Sequence, residues 1–516
     1  MRSVSLVTVA LAMPLAAAST CHPPKWTVGQ TVLTTSGPVE GHAAAVASEV
    51  SEYLGIPYAQ PPVGSLRFQP PVRYNGTQRV DGKNFGFSCI PSNLTAFDAE
   101  YPQELIEQFG ITDVGLELIK SINNPGIPVS EDCLTLNIWT KPQTGEKRKA
   151  VMVWVHGGTF ISGSSAVPDY NGQFFAEQED VVLVTINYRV SFFGFPGNPH
   201  GPQNLGLLDQ RLAVEWVRDN IAAFGGDPSR ITLFGESAGG ASVDHYTHAF
   251  ASNPIIAAAI SMSGTVTGIR PRPAADAAYI WYNTTTALNC GDASTTPPSQ
   301  ILSCMQSATP HQIVATLRNV INSPIPMPYS PTVDETLVFS SPQTHPVAMI
   351  PLLIGNNDNE AGLFRVFLPP LFPDNVTREE EFWHGDNQSK FSCPAGARAA
   401  RSAREGNPTW RYRWHGVFAN TELATRPPSG AYHYSEVGVL FGTLKGNTRE
   451  EETVGRWMRG AWGAFARDPV KGLERYGRGK GKGWPRYDEE GKTLARIGLE
   501  GREVSFVRGD FYDAGC

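Results

Sequence analysis

The run "ITLFGESAGGASVDHY", Ile231 to Tyr246, sets Ser237 among small residues directly after an apolar stretch. Ile231 to Phe234 read as the end of a buried strand, and Gly235, Ala238, Gly239 and Gly240 let the backbone turn sharply into a helix. A serine at the tip of such a turn has an exposed hydroxyl and leaves the N–H of the next residue free, which suits an acyl-transfer nucleophile. Gly-x-Ser-x-Gly arises by chance in about one 500-residue chain in five, so this reading needs partners. Attack on a carbonyl creates an oxyanion that must be met by N–H donors. "VWVHGGTFISG", Val153 to Gly163, supplies a glycine turn straight after a second buried strand, where the backbone N–H groups of Gly158 and Thr159 could point inward alongside that of Ala238.

A general base and an orienting acid complete such a site, and one known chain order is serine, acid, histidine. The late histidines are His345, His384, His415 and His433. His433 stands in "SGAYHYSEVGVLFG", after a glycine and a short aromatic strand, where a loop could leave the sheet edge. For the acid, "LLIGNNDNEAGLF" follows an apolar strand with a polar loop holding Asp358 and Glu360. The residue pattern leaves both carboxylates open.

These groups need a rigid frame. Apolar runs beginning at Ala150, Val181, Arg230, Ala257 and Ala348 alternate with helical patterns, which predicts a mainly parallel sheet. Between two of them, "LGLLDQRLAVEWVRDNIAAF" places Leu205, Leu208, Leu212, Val214 and Trp216 near helical spacing and stops at Gly225-Gly226. A length of 516 residues without repeats or a linker-like break predicts one elaborated domain over residues 19–516. The net charge of -7, with no dense basic stripe among exposed aromatics, argues against a nucleic-acid partner.

The first residues, "MRSVSLVTVALAMPLAAAST", carry Arg2, an apolar run from Val4 to Leu15 and the small residues Ala16 to Ala18. They predict a secretory signal peptide over about residues 1–18, with an apolar core too short to span a bilayer. No later segment has the length and apolarity of a membrane span, so stable membrane insertion is not expected. Export predicts oxidised cysteines, and the seven present suit three bridges with one left over. Cys89 and Cys133 flank a long irregular stretch, and Cys290 and Cys304 bracket "GDASTTPPSQILS"; each pair reads as a staple around an excursion, while Cys21, Cys393 and Cys516 stay unassigned. No Cys-x-x-Cys spacing supports a metal site. Sequons at Asn75, Asn93, Asn283, Asn375 and Asn387 predict surface positions and a glycoprotein.

From about Val28 to Asp513 the chain resembles the type B carboxylesterase and lipase family of α/β-hydrolases, particularly its secreted fungal members. The motifs are "YLGIPYAQPPVGSLRF" at Tyr53, "SEDCLTLNIW" at Ser130, "HGGTF" at His156, "NYRVSFFGF" at Asn187, "FGGDPSRITLFGESAGG" at Phe224, "IGNNDNEAGLF" at Ile354 and "AYHYSEVGVLFG" at Ala431, all in the family's order. The resemblance implies an α/β-hydrolase fold with a large, mainly parallel central sheet, helices on both faces and long excursion loops. It implies Ser237 as nucleophile, Glu360 as acid and His433 as base, oxyanion donors at Gly158, Thr159 and Ala238, and bridges Cys89–Cys133 and Cys290–Cys304. It further implies a secreted carboxylic ester hydrolase that forms an acyl-enzyme, takes a small-molecule or lipid ester and needs neither metal nor organic cofactor. Two departures narrow this. Thr159 stands where many relatives have a third glycine, and no tryptophan lies between Cys89 and Cys133, which argues against cation–π recognition of choline. A noncatalytic adhesion-type relative would lack a triad member, and all three are present.

A lid-gated triacylglycerol lipase is the alternative, and it turns on the segment between Cys89 and Cys133. Leu105, Ile106 and Phe109, then Val114, Leu118 and Ile122, recur at helical spacing and predict two short amphipathic helices over the site. Asp98, Glu100, Glu104, Glu107, Asp113 and Glu117 make the same segment acidic, so anionic lipid surfaces repel it. That balance favours soluble short and medium acyl esters.

Overall fold

Each apolar run marked above forms a strand in the computed structural model of the chain, which describes residues 26–92, 101–123, 126–142, 148–320, 329–367, 378–477 and 483–516. In chain order the strands are β1 (Val32–Thr34), β2 (Gly37–Glu40), β3 (His42–Ala43), β4 (Ser51–Pro57), β5 (Val80–Asp81), β6 (Thr135–Thr140) and β7 (Lys149–Val155). They continue with β8 (Val182–Ile186), β9 (Gly226–Glu236), β10 (Ala258–Met262), β11 (Leu352–Asn357), β12 (Thr409–Trp414), β13 (Lys492–Ile497) and β14 (Val504–Arg508). Among the described residues β1, β2 and β5 make a small sheet, and the other strands make one of eleven in the order β14-β13-β12-β11-β10-β9-β7-β8-β6-β4-β3.

Every pairing from β8 across to β13 is parallel, and the pairings outside that span are antiparallel. The sheet is therefore mixed, with a parallel centre, and the parallel part is where the apolar runs were unbroken. A parallel strand is covered on both faces and needs apolar side chains at successive positions. In β7 every residue is buried: Val151, Val153 and Val155 join the core on one face, and Ala150, Met152 and Trp154 join the core on the other. The first face is covered by the helices Leu205–Asn220, Ala238–Ala249 and Cys393–Arg404, the second by Gln173–Glu179, Val437–Phe441 and Arg449–Arg467. The expected helix after Asn204 is present, with Leu205, Leu212, Val214 and Trp216 buried and Leu208 half-buried. No helix among the described residues is long and apolar enough to cross a membrane.

The bridges Cys89–Cys133 (S–S 1.97 Å) and Cys290–Cys304 (2.00 Å) are formed, and Cys393 pairs with Cys516 (2.03 Å). Cys21, the signal-like N-terminus and the sequons at Asn93 and Asn375 lie outside the described residues. Asn75 is exposed and Asn283 half-buried, as surface sequons require. Asn387 is not a surface position: it is buried, and its Oδ1 accepts a hydrogen bond from the backbone N of Glu360 at 2.9 Å.

Parallel strands leave their carboxyl ends on one edge, and loops leaving that edge form a crevice. Ser237 follows β9, His156 to Thr159 follow β7, Glu360 follows β11, and His433 lies in the connection after β12. The helix that begins after Ser237 approaches β7 so closely that a Cβ on Gly239 would sit 2.0 Å from the Val155 carbonyl oxygen. Gly239→Ala should therefore push the helix start off β7. We expect it to destabilise the fold by about 1–3 kcal/mol in urea unfolding and to reduce kcat more than its unfolded fraction explains.

Candidate active site

Ser237 caps the helix Ala238–Ala249 at φ 58°, ψ -123°, a conformation that non-glycine residues rarely adopt and hold only when the surroundings force it. Its N–H donates to the Met262 carbonyl at 2.9 Å, and its own carbonyl accepts from Ala241 N at 2.9 Å, so both sides of the turn are anchored. The side chain is half-buried between the buried Glu236 and Ala238.

The turn after β7 lies against this elbow, since a Cβ on Gly157 would be 3.1 Å from Ser237 Cβ. Gly158 sits at φ 106° and Thr159 at φ 57°. The left-handed backbone at position 159 is the physical reason glycine fits there; a threonine carries steric strain of about 1–2 kcal/mol. The Gly158 carbonyl accepts from Ile161 N at 3.0 Å and Ser162 N at 3.1 Å, curling the loop back. Among the described residues the N–H groups of Gly158, Thr159 and Ala238 donate to no other backbone group outside helices and strands.

Glu360 and His433 are brought together. His433 Nδ1–H donates to Glu360 Oε2 at 2.6 Å, and Glu360 Oε1 accepts from Asn357 N at 2.6 Å, with both side chains buried. The imidazole packs against the stacked pair Phe364 and Phe391, whose ring centroids lie 5.9 Å apart and 4.9 and 5.1 Å from its own. Asp358, the other carboxylate the pattern left open, points elsewhere: its Oδ1 is 2.8 Å from Arg413 Nε and 3.5 Å from His415 Nδ1. Burial opposes ionisation of Asp358, yet the His415 and Arg413 contacts pull its pKa down to about 2. His415 is thus taken up by Asp358, His345 stacks on Phe339, and His384 is exposed on the helix Glu380–Asn387.

The outer nitrogen of His433 faces another acid. Nε2 lies 3.1 Å from Glu236 Oε1 in an orientation that makes no hydrogen bond, and no bond joins it to Ser237. Catalytic hydrogen bonds are often loose without substrate and tighten in the complex. Burial, then the charge of Glu360, raise the Glu236 carboxyl well above the usual range. Glu436, buried and bonded to Asn357 Nδ2, is pushed up to about 8 by burial and then by Glu236 and Glu360.

Sequence comparisons identify the family of the chain. A profile described as "Carboxylesterase family" matches residues 29–386, well over half the chain. The chain belongs to the carboxylesterase family. It is 32% identical over 520 residues to Chlorogenic acid esterase of Aspergillus niger, covering 95% of this chain and 94% of that protein. It is 31% identical over 481 residues to Secreted lipase 5 of Gibberella zeae, covering 86% and 84%. It is 36% identical over 370 residues to Cholinesterase of Mus musculus, covering 69% of this chain but 58% of that protein. This carboxylesterase is accordingly a carboxylic ester hydrolase whose substrates are small-molecule esters.

Four side chains around the acid–base pair escaped motif reading: Glu236, Asn357, Asn387 and Glu436. The available signal was an acid or amide in a string that must be buried, such as Glu236 at the end of an apolar strand and Glu436 before "VGVLFG". The carboxylesterase keeps Glu436 protonated where the unfolded chain would not. Below the ordinary carboxyl range both states hold this proton; from there to about 8 only the folded state does. Stability therefore falls as pH rises through that window. Glu436→Gln, which mimics the protonated acid, should match wild type in Tm near pH 4 and exceed it by pH 8–9, with a flatter Tm-against-pH curve.

Proposed function

We propose that this carboxylesterase is a secreted serine esterase that hydrolyses short and medium acyl esters through an acyl-enzyme on Ser237. The observation that carries the reading is the buried 2.6 Å hydrogen bond from His433 Nδ1 to Glu360 behind the Ser237 elbow. In the first step Ser237 Oγ attacks the ester carbonyl while His433 Nε2 takes its proton. Glu360 fixes the tautomer and stabilises the imidazolium. The N–H groups of Gly158, Thr159 and Ala238 receive the oxyanion, in a site where preorganised donors need no rearrangement. His433 then gives its proton to the departing alcohol, and a water activated by the same imidazole releases the acid.

Residues 19–516 are read as one catalytic unit, and residues 1–18 as a signal peptide removed on export. Three disulfides suit an oxidising compartment, and the name of the Gibberella zeae relative carries the same location. The exposed Asn75 sequon is the favoured glycan site.

The preference for soluble esters over lid-gated lipolysis rests on how the disulfide loop is held. The helices Gln103–Phe109 and Asp113–Asn123 and the joint between them bury Phe109, Ile111 and Ile119 against Leu363, Val366, Leu423 and Tyr432. Val114, expected on the apolar stripe, is instead 37% exposed; the packed face runs through Gly115 and Ile119, because Gly115 approaches the Leu423 backbone. Hydrogen bonds pin the joint between the helices: Thr112 N to Leu423 O (3.1 Å), Thr425 N to Gly110 O (3.1 Å) and Arg426 N to Phe109 O (2.9 Å). Opening a lid here would break all of these, at about 1 kcal/mol net each, and expose the cluster beneath. Glu104, Glu107, Asp113 and Glu117 stand on the outer surface, where they repel anionic lipid. Thr159 beside the oxyanion donors narrows acyl or alcohol scope further.

Two experiments test the reading. Ser237→Ala and His433→Ala should each lower kcat by about four to six orders of magnitude in folded protein, and Glu360→Gln should cost far more than Asp358→Asn. The reverse order for the two acids would overturn the triad. Rates on tributyrin should rise smoothly through its solubility limit and exceed those on a long-chain triglyceride emulsion; a jump at saturation with faster long-chain turnover would favour the lipase.

A further inference from the structure

Alternation along β12 sends Trp410, Tyr412 and Trp414 into the apolar face covered by Arg449–Arg467, and Arg411 and Arg413 to the opposite side. Two buried guanidinium groups need anions there, and residues 509–516 supply one of them. Arg411 is held by both carboxylate oxygens of Asp513, each at 2.6 Å, and by the Gly509 carbonyl at 3.0 Å. Arg413 lies 4.2 Å from the centroid of Tyr512, whose hydroxyl pairs with His415 Nε2 at 3.1 Å. Cys516 is bonded to Cys393, and Gln388 Nε2 donates to the Tyr512 carbonyl at 3.2 Å.

All these anchors converge on one short piece of chain, the π-helical turn Gln388–Ser392 and its flanks. Arg411 Nη2 donates to the Ser392 carbonyl at 3.2 Å and Arg413 Nη1 to Ser392 Oγ at 3.0 Å. From the inner side of the same piece, Phe391 packs on the His433 ring and Asn387 accepts from Glu360 N. π-helical turns are rare and occur frequently at functional sites.

We propose that residues 509–516 are a positioning brace for the acid–base pair: by clamping the outer side of the 387–393 turn through Tyr512, Asp513 and the Cys393–Cys516 bridge, they fix Phe391 against His433 and Asn387 against Glu360. The inference rests on the triad reading above. The brace touches no reacting atom, so loosening it should misplace the base without changing how substrate binds. Misplacement of about 1 Å can cost up to a hundredfold in rate.

The test is the full chain carrying Tyr512→Leu with Cys516→Ser, which leaves the buried Arg411–Asp513 pair intact. Turnover is measured per active site titrated with a phosphonate that labels Ser237, so unfolded molecules do not count. We expect kcat to fall about tenfold with KM within about twofold, a shift of the acid limb of the kcat/KM pH profile, and loss of the low-field proton resonance of the His433–Glu360 hydrogen bond. Tyr512→Phe with Cys516 intact keeps the ring over Arg413 and should stay within about twofold of wild type. If the double variant does not accumulate, Cys516→Ser alone is read by the same three measurements. Wild-type kcat per titrated site with the low-field resonance intact would overturn the brace. If Ser237→Ala abolishes turnover in the same series, the triad reading survives that loss; an active Ser237→Ala would sink the triad itself.

Discussion

In the proposed mechanism the imidazole of His433 takes up a proton while buried beside a carboxylate that is itself buried. An unpaired charge there would cost several kcal/mol, so the rest of the site has to make the pair acceptable. Glu360 does so with one oxygen on His433 Nδ1 and the other on Asn357 N, while its own N–H is tied to Asn387. Phe364 and Phe391, stacked on each other, pack their rings against the imidazole and line it with apolar surface.

That demand reaches outward to the other buried acids. Three glutamates, at 236, 360 and 436, share one low-dielectric region, and they cannot all be ionised there. Burial and the neighbouring acids raise the Glu236 and Glu436 carboxyls, so each of these two holds a proton. A neutral Glu236 3.1 Å from Nε2 is compatible with the proposed role of that nitrogen as acceptor of the serine proton.

The sequence was most legible where one physical requirement admits few residue types. The strand-to-helix elbow demands small residues around Ser237, and a parallel strand covered on both faces demands unbroken apolar runs. Both were visible without a partner. The choice between Asp358 and Glu360 was not, because it depends on where the chain turns after β11: Asp358 swings toward Arg413, and only two residues later does a side chain face His433. Asn387 misled for a related reason. A sequon records three residue types and nothing about burial, and here the amide serves the Glu360 backbone. The pairing of Cys393 with Cys516 spans 123 positions with no local excursion to mark it. The antiparallel edges of the sheet were also missed, since edge pairing leaves no mark as clear as the buried centre.

Constraint from both sides gives the site its character. On one side, the disulfide loop is hydrogen-bonded along 422–426, directly before the His433 loop; on the other, the turn at 387–393 is clamped under residues 509–516. Both attachments lie in loops that leave the carboxyl edge of the sheet, where loops would otherwise be the most mobile part of the fold. On the proposed reading, a base held in this way would gain rate from preorganisation. Selectivity must then come from fixed shape near the scissile bond. Thr159, at its strained φ of 57°, lies in the turn that the proposed mechanism assigns to the oxyanion, so on that reading its branched side chain is one element of that shape.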